Sequence, residues 1–208
     1  MTRSPSGEKV RVFVAVELPD AVKAEFSGLT SAIASLGVRG ARTVISQGIH
    51  LTLKFLGDVS AELVPAIEAA MDSAADKTAP FDLSLGDAGV FPNPRATRVL
   101  WVGVAGDLDS LGRLQQRVEE GLSELGFRPE RRAFNPHITA GRLRDNVSNA
   151  DRRRVTEALL SHEYARPPIR VESISLIRST LRPDGAIYEP IHSVDLSGTP
   201  FVNLTEIP

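Results

Sequence analysis

His50-Leu51-Thr52-Leu53 and His137-Ile138-Thr139-Ala140 are one pattern written twice, 87 residues apart in a chain of 208. Each copy sets a histidine and a threonine two residues apart inside an apolar, strand-like run. Side chains alternate faces along a strand, so His50 shares a face with Thr52, and His137 with Thr139. Two such strands laid side by side bring two imidazoles and two hydroxyls into one small volume. That set of groups can run acid–base chemistry on a phosphate without a metal. One His-x-Thr alone reads as an ordinary polar strand face. The recurrence makes the pair informative.

The spacing of the copies is close to half the chain, which reads as a tandem duplication. Each histidine strand is preceded and followed by a helix. The expected fold is α+β and bilobal, with two pseudo-twofold lobes, antiparallel-rich sheets facing a central cleft, and helices outside. Strands are expected at Val10–Glu17, Arg42–Ile45, Ile49–Leu56, Phe81–Leu85, Arg98–Val104, Pro136–Arg142, Pro167–Arg178 and Ala186–Val194. The last two are joined by a Pro183-Asp184-Gly185 turn. Helices are expected from Asp20 to about Leu36, over Ala61–Ala75, over Leu108–Leu125 and around Asp151–Leu160. A Pro/Asn loop covers Phe91–Arg95. No linker or low-complexity segment divides the chain. A single domain over residues 10–196 is expected, with a loose tail over 1–9 and a loose extension over 197–208.

Composition narrows the function. The chain has 42% hydrophobic and 24% charged residues, as a soluble globular protein does. Its net charge of −2 gives it no general attraction for nucleic acid, so any RNA contact rests on local Arg and Lys. The lack of cysteine removes disulfides, zinc–thiolate sites and thiol catalysis, and suits the cytoplasm. No apolar run approaches the ~18 residues that span a bilayer, and Met1–Glu8 lacks the apolar stretch of a signal peptide. No membrane contact is expected.

In Ile49–Leu56, alternation puts Ile49, Leu51, Leu53 and Phe55 on an apolar core face. His50, Thr52 and Lys54 then line the opposite face. In the second copy, Ile138 and Ala140 form the apolar row. Strict alternation turns Arg142 away from His137, so Arg142 reaches a shared phosphate only where the strand twists or ends; otherwise it is a surface residue. Gly141 beside it loosens or bends the strand end. Phe13, one residue off the Val12/Val14/Val16 row, is either a stacking surface for a base or a core residue. His162 and His192 lack comparable context and read as structural. No metal site is expected, because the two strands offer two imidazoles and no acidic neighbour. No serine sits in a nucleophile elbow, and no Gly-rich phosphate loop is present. Arg152-Arg153-Arg154 reads as a solvated helix face.

These residues resemble the two-histidine (2H) phosphoesterase superfamily, and within it the RNA 2′,3′-cyclic phosphodiesterases once described as 2′–5′ RNA ligases. The resemblance covers most of the chain. It rests on Arg11–Pro19, on His50-Leu51-Thr52-Leu53-Lys54-Phe55-Leu56-Gly57, on Arg98–Trp101, on Pro136–Thr139, and on Ser179 with Gly185-Ala186-x-Tyr188. It implies hydrolysis of the 2′,3′-cyclic phosphate at an RNA end to a 2′-phosphate, without a cofactor. It further implies that His50 is the proton donor and His137 the acceptor. The nearly symmetric motifs do not assign those roles by themselves. Thr52 and Thr139 would hydrogen-bond the non-bridging oxygens, and Arg142, Lys54 and Phe13 would contact substrate. The partner is RNA with a cyclic end, tRNA fragments included, and the protein is expected to be a monomer. Three alternatives stay open: a 2′–5′ ligase of tRNA halves, a phosphodiesterase of small cyclic nucleotides, and an RNA-end-binding module without turnover. Retention of both histidines and both threonines argues against the last, since arginine serves plain phosphate binding better.

Overall fold

The computed structural model describes residues 8–45, 48–182 and 185–199. Among the described residues, nine strands and four helices follow one another along the chain: β1 (Lys9–Glu17), α1 (Asp20–Ser35), β2 (Ala41–Thr43), β3 (His50–Ser60), α2 (Val64–Ala75), β4 (Phe81–Phe91), β5 (Val99–Gly106), α3 (Leu108–Glu124), β6 (His137–Leu143), α4 (Asn149–Leu160), β7 (Pro168–Val171), β8 (Ser173–Arg182) and β9 (Gly185–Asp195). The Pro183-Asp184 part of the expected turn lies outside the described residues.

The strands form one antiparallel sheet in the order β7-β4-β5-β6-β3-β1-β8-β9, with β2 also paired to β6. The histidine strands β6 and β3 are adjacent at its centre. The pseudo-twofold reads from there outward: β5 flanks β6 as β1 flanks β3. The halves exchange strands, however. β4 follows α2 of the first half yet pairs with β5. β8 follows the helix of the second half yet pairs with β1.

Helices cover one face of the sheet. Val12, Val14 and Val16 of β1, Leu51 of β3, and Ile138 and Ala140 of β6 share one core with Phe26 and Leu29 of α1, Ile67 and Met71 of α2, Leu111 and Val118 of α3, and Val155 and Leu159 of α4. The helices therefore form because each carries an apolar stripe at helical spacing that this face buries. α3 and α4 start where side chains satisfy otherwise unpaired amides: Asp107 accepts from the Ser110 amide, and Ser148 from the Asp151 amide. On the opposite face, Phe13, Ala15 and Ile177 form a second, small cluster with Tyr188.

One expectation is corrected. The strand expected over Pro167–Arg178 is two strands in opposite halves, β7 on β4 and β8 on β1. Its core residues change parity, from Ile169 and Val171 to Ile174 and Leu176, which marks the break at Glu172. Within the expected extension, Ser197 donates to the Ala75 carbonyl and Gly198 to the Thr78 carbonyl, at the end of α2, and residues 200–208 lie outside the described residues.

Candidate active site

β3 and β6 pair at Leu51 and Ile138. Counting outward in an antiparallel ladder, His50 stands opposite Thr139 and Thr52 opposite His137, with all four side chains on the face away from the helices. The two histidines are diagonal neighbours, and sheet geometry puts such Cβ atoms about 7 Å apart, a span one phosphate group can bridge. The four line a single cleft of ≈ 290 Å³ with Phe13, Arg142 and other residues.

Two bulges decide which neighbours join them. In β6, Trp101 pairs with Thr139 but Leu100 with Gly141, so Ala140 is an extra residue. It shifts the alternation and brings Arg142 onto the cleft face. In β3, Ala15 pairs with Thr52 but Val14 with Lys54, so Leu53 is extra. Beyond that point the faces swap. Lys54 is not in the cleft. It is 8% exposed and lies under α3, where its Nζ donates to Glu119 Oε1 at 2.5 Å and to the Arg128 carbonyl at 2.8 Å. Phe55, expected in the core, is 53% exposed and lines the cleft. Phe13 is a wall of the cleft but only 2% exposed, so it offers no free face to a base. Its ring is stacked on that of Phe55 at 6.4 Å and tilted against His50 at 4.3 Å.

The imidazoles are held alike. His50 meets Tyr188 edge-on at 5.1 Å and lies tilted against Phe13, while His137 meets Phe91 edge-on at 5.1 Å and lies tilted against Trp101 at 6.1 Å. His137 Nδ1 is 2.7 Å from the Asn135 carbonyl, and a carbonyl can only accept, so Nδ1 carries the hydrogen. The neutral ring then turns an unprotonated Nε2 away from that bond. At His50 the carbonyl two residues before it, that of Gly48, likewise favours the charged ring. Burial lowers the pKa of His50 from 6.5 to about 4, against the opposing pull of that carbonyl.

Among the described residues, the cleft is lined by Arg11 and Arg142 and by no carboxylate. Arg11 is shared with Asp58 at 3.4 Å and lies over the Phe55 ring at 4.9 Å. Arg142 makes no hydrogen bond or ion pair with any described residue. A chain with net negative charge thus keeps its cleft positive, as an anionic substrate requires. Among the described residues, no group of three or more His, Asp or Glu side chains is arranged to hold a metal ion. His192 bonds Asp72 at 2.8 Å, and His162 is stacked on Tyr164; neither lines the cleft. Sequence reasoning gave no role in the site to Arg11, Ser179 or Tyr188 and assigned Phe55 to the core, yet all four line the cleft. The Phe55 signal was masked by the bulge. Ser179 and Tyr188 come from the β8–β9 hairpin, which no local pattern links to the histidines.

The model of the 2′-5′ RNA ligase superfamily matches residues 13–182. The chain is 34% identical over 180 residues to an RNA 2′,3′-cyclic phosphodiesterase of Methanothermobacter thermautotrophicus, covering 86% of this chain and 95% of that one. It is 33% identical over 183 residues to a protein of the same name from Archaeoglobus fulgidus, covering 88% and 98%. Among solved structures, TT0787 of Thermus thermophilus superposes with a TM-score of 0.70 at 28% identity, over 90% of this chain and 98% of that chain. E. coli LigT complexed with 3′-AMP gives 0.68 at 25% identity, over 91% and 99%.

Proposed function

The chain belongs to the 2′-5′ RNA ligase superfamily, and on that footing we propose that it is a hydrolase that opens the 2′,3′-cyclic phosphate at an RNA 3′ end. One observation carries the reading: His50, Thr52, His137 and Thr139 line one cleft whose charged lining, among the described residues, is Arg11 and Arg142. The names of its relatives point to the same reaction.

In the mechanism, a neutral imidazole takes a proton from the attacking water as its oxygen bonds to phosphorus. The bond from phosphorus to the ribose 3′ oxygen breaks, and an imidazolium protonates that oxygen, leaving a 2′-phosphate. Thr52 and Thr139 donate to the non-bridging oxygens, where charge grows in the transition state. His137, with Nδ1 engaged by Asn135, has Nε2 free to accept the proton. His50 is the donor, and this requires the substrate itself. Burial keeps His50 neutral in the free protein at pH 7. A bound phosphate anion favours the charged ring and draws a proton onto it.

The test is incubation of a 2′,3′-cyclic mononucleotide and a cyclic-ended oligonucleotide with the protein in excess chelator. Release of the 2′-phosphate is expected from both. Joining of RNA ends instead would assign the ligase reaction, and binding without turnover an end-binding module.

A further inference from the structure

β2 and β6 pair so that Arg42 stands directly opposite Arg142. Residues opposite each other in an antiparallel pair project from the same face, and Arg142 lines the cleft. Val44, two residues beyond Arg42 and so on the same side, also lines it. Arg42 is exposed, and neither guanidinium has a hydrogen-bond or ion-pair partner among the described residues. Like charges set directly opposite on a sheet oppose folding. Arg98, whose carbonyl accepts the Leu143 amide beside the pair, is neutralised by Asp145 at 3.1 Å. Among the described residues, the Arg42–Arg142 pair is left without an anion of its own.

The pair's position follows from the topology. β5 occupies one edge of β6 from His137 to Arg142. The other edge is therefore shared, by β3 at Ile138 and by β2 from Gly141 to Leu143. Ile138 and Arg142 stand opposite Val102 and Val99 of β5, three residues apart, so ~10 Å separates them at the strand rise of ~3.3 Å per residue. Both strands approach closely there, because a Cβ on Gly141 would lie 2.8 Å from the Arg42 carbonyl oxygen. The pair thus sits at the end of the cleft, an arginine side chain's reach beyond the histidines.

We propose that Arg42 and Arg142 together grip a backbone phosphate of the RNA next to the reacting end, so that the preferred substrate is an oligonucleotide and not a cyclic mononucleotide. This rests on the hydrolase reading above. Two planar forks converging on one phosphodiester make charge-assisted bonds that a terminal mononucleotide cannot supply. The phosphate also removes the repulsion between the two guanidinium groups, so substrate relieves an unfavourable contact of the free protein.

The test compares 2′,3′-cyclic AMP with a tetranucleotide ending in the same group. Arg42→Gln is expected to lower the ratio of kcat/KM for the tetranucleotide over the mononucleotide about tenfold, the size of a lost charge-assisted bond. Fluorescence anisotropy of a labelled tetranucleotide ending in 2′-phosphate supplies a readout independent of turnover. Its slope of log affinity against log salt should fall in magnitude by about 0.7, one single-strand phosphate contact. Arg42→Lys should restore the salt slope but not the full affinity, since lysine keeps the charge and loses the fork. The melting temperature of Arg42→Gln should equal or exceed that of the parent, which separates lost binding from lost folding. Equal losses on both substrates would place Arg42 on the terminal phosphate and overturn the proposal, as would an unchanged ratio and salt slope. A parent protein that turns over neither substrate would end the hydrolase reading, while the anisotropy series would still decide the arginine pair.

Discussion

Replacing Lys54 by methionine should weaken the fold and spare the chemistry. Methionine keeps the length of the side chain and removes the ammonium. Lys54 is 8% exposed and its partner Glu119 has a side chain 16% exposed, so the change strands a largely buried carboxylate. Removing one member of a buried ion pair costs about 3–5 kcal/mol. Here the loss belongs at the lower end, because Glu119 Oε1 still accepts the Glu130 amide at 2.9 Å and Oε2 the Gln115 side chain at 3.3 Å. About 3 kcal/mol lowers the melting temperature of a domain this size by roughly 6–12 °C. Adding Glu119→Gln, which keeps the acceptor and removes the charge, should recover more than half of that loss. Thermal unfolding by circular dichroism measures the stability of the single and double variants. Initial rates on a cyclic mononucleotide, taken well below the melting point, should give kcat and KM within about twofold of the parent. A Lys54→Met protein with unchanged melting temperature and KM raised tenfold would refute the reasoning and return Lys54 to the substrate.

Substitution of either cleft histidine by alanine should reduce kcat by roughly 10²–10⁴-fold, and a fully active His137→Ala protein would end the two-histidine mechanism. Thr52→Ala and Thr139→Ala should lower kcat more than they raise KM, because their bonds strengthen as charge develops; steady-state kinetics separates the two effects. The profile of kcat/KM between pH 3.5 and 9 should be bell-shaped, with its limbs belonging to the histidine pair, and the acid limb of kcat should lie at higher pH because bound phosphate raises His50. A rate that climbs with hydroxide throughout would show that no imidazolium is needed. His50 also ties stability to pH. Its pKa is lowered on folding, so the unfolded chain binds the extra proton, and stability complete above pH 6.5 is lost as pH falls toward 4. At 1.36 kcal/mol per unit this is about 3 kcal/mol, and urea titrations at both pH values should show that slope vanish in His50→Gln. Equal slopes in the two proteins would mean that the ring is not buried as described.

The α+β class, the central adjacent histidine strands and the four cleft side chains were legible because each depends on local periodicity. Val12, Val14 and Val16 alternate without interruption, as do His50 to Thr52 and His137 to Thr139. What failed lies just past a bulge. Lys54 and Phe55 follow an extra residue, Leu53, that neither glycine nor proline announces, whereas Arg142, expected to contact substrate where the strand bends, reaches the cleft past the extra Ala140 beside Gly141. Alternation is a rule about paired strands, and a bulge is set by how the partner strand packs. The strand exchange between halves was equally hidden, because a contact between β1 and β8 leaves no trace in either segment alone.

That exchange has a consequence for how the protein is made. Val12–Ala15 pair with Ser175–Arg178, near the opposite end of the chain. A polypeptide emerging from its N-terminus therefore carries both histidines long before the wall holding Ser179 and Tyr188 exists. Until β8 arrives, the outer edge of β1 is an unpaired strand edge open to other chains. Contacts this remote in sequence form slowly, and they leave partly made chains prone to association. Nor can the repeat be cut at its apparent midpoint into two working pieces, since each piece would hold a strand that completes the other. A duplication that reads as two units is thus built and retained only as one.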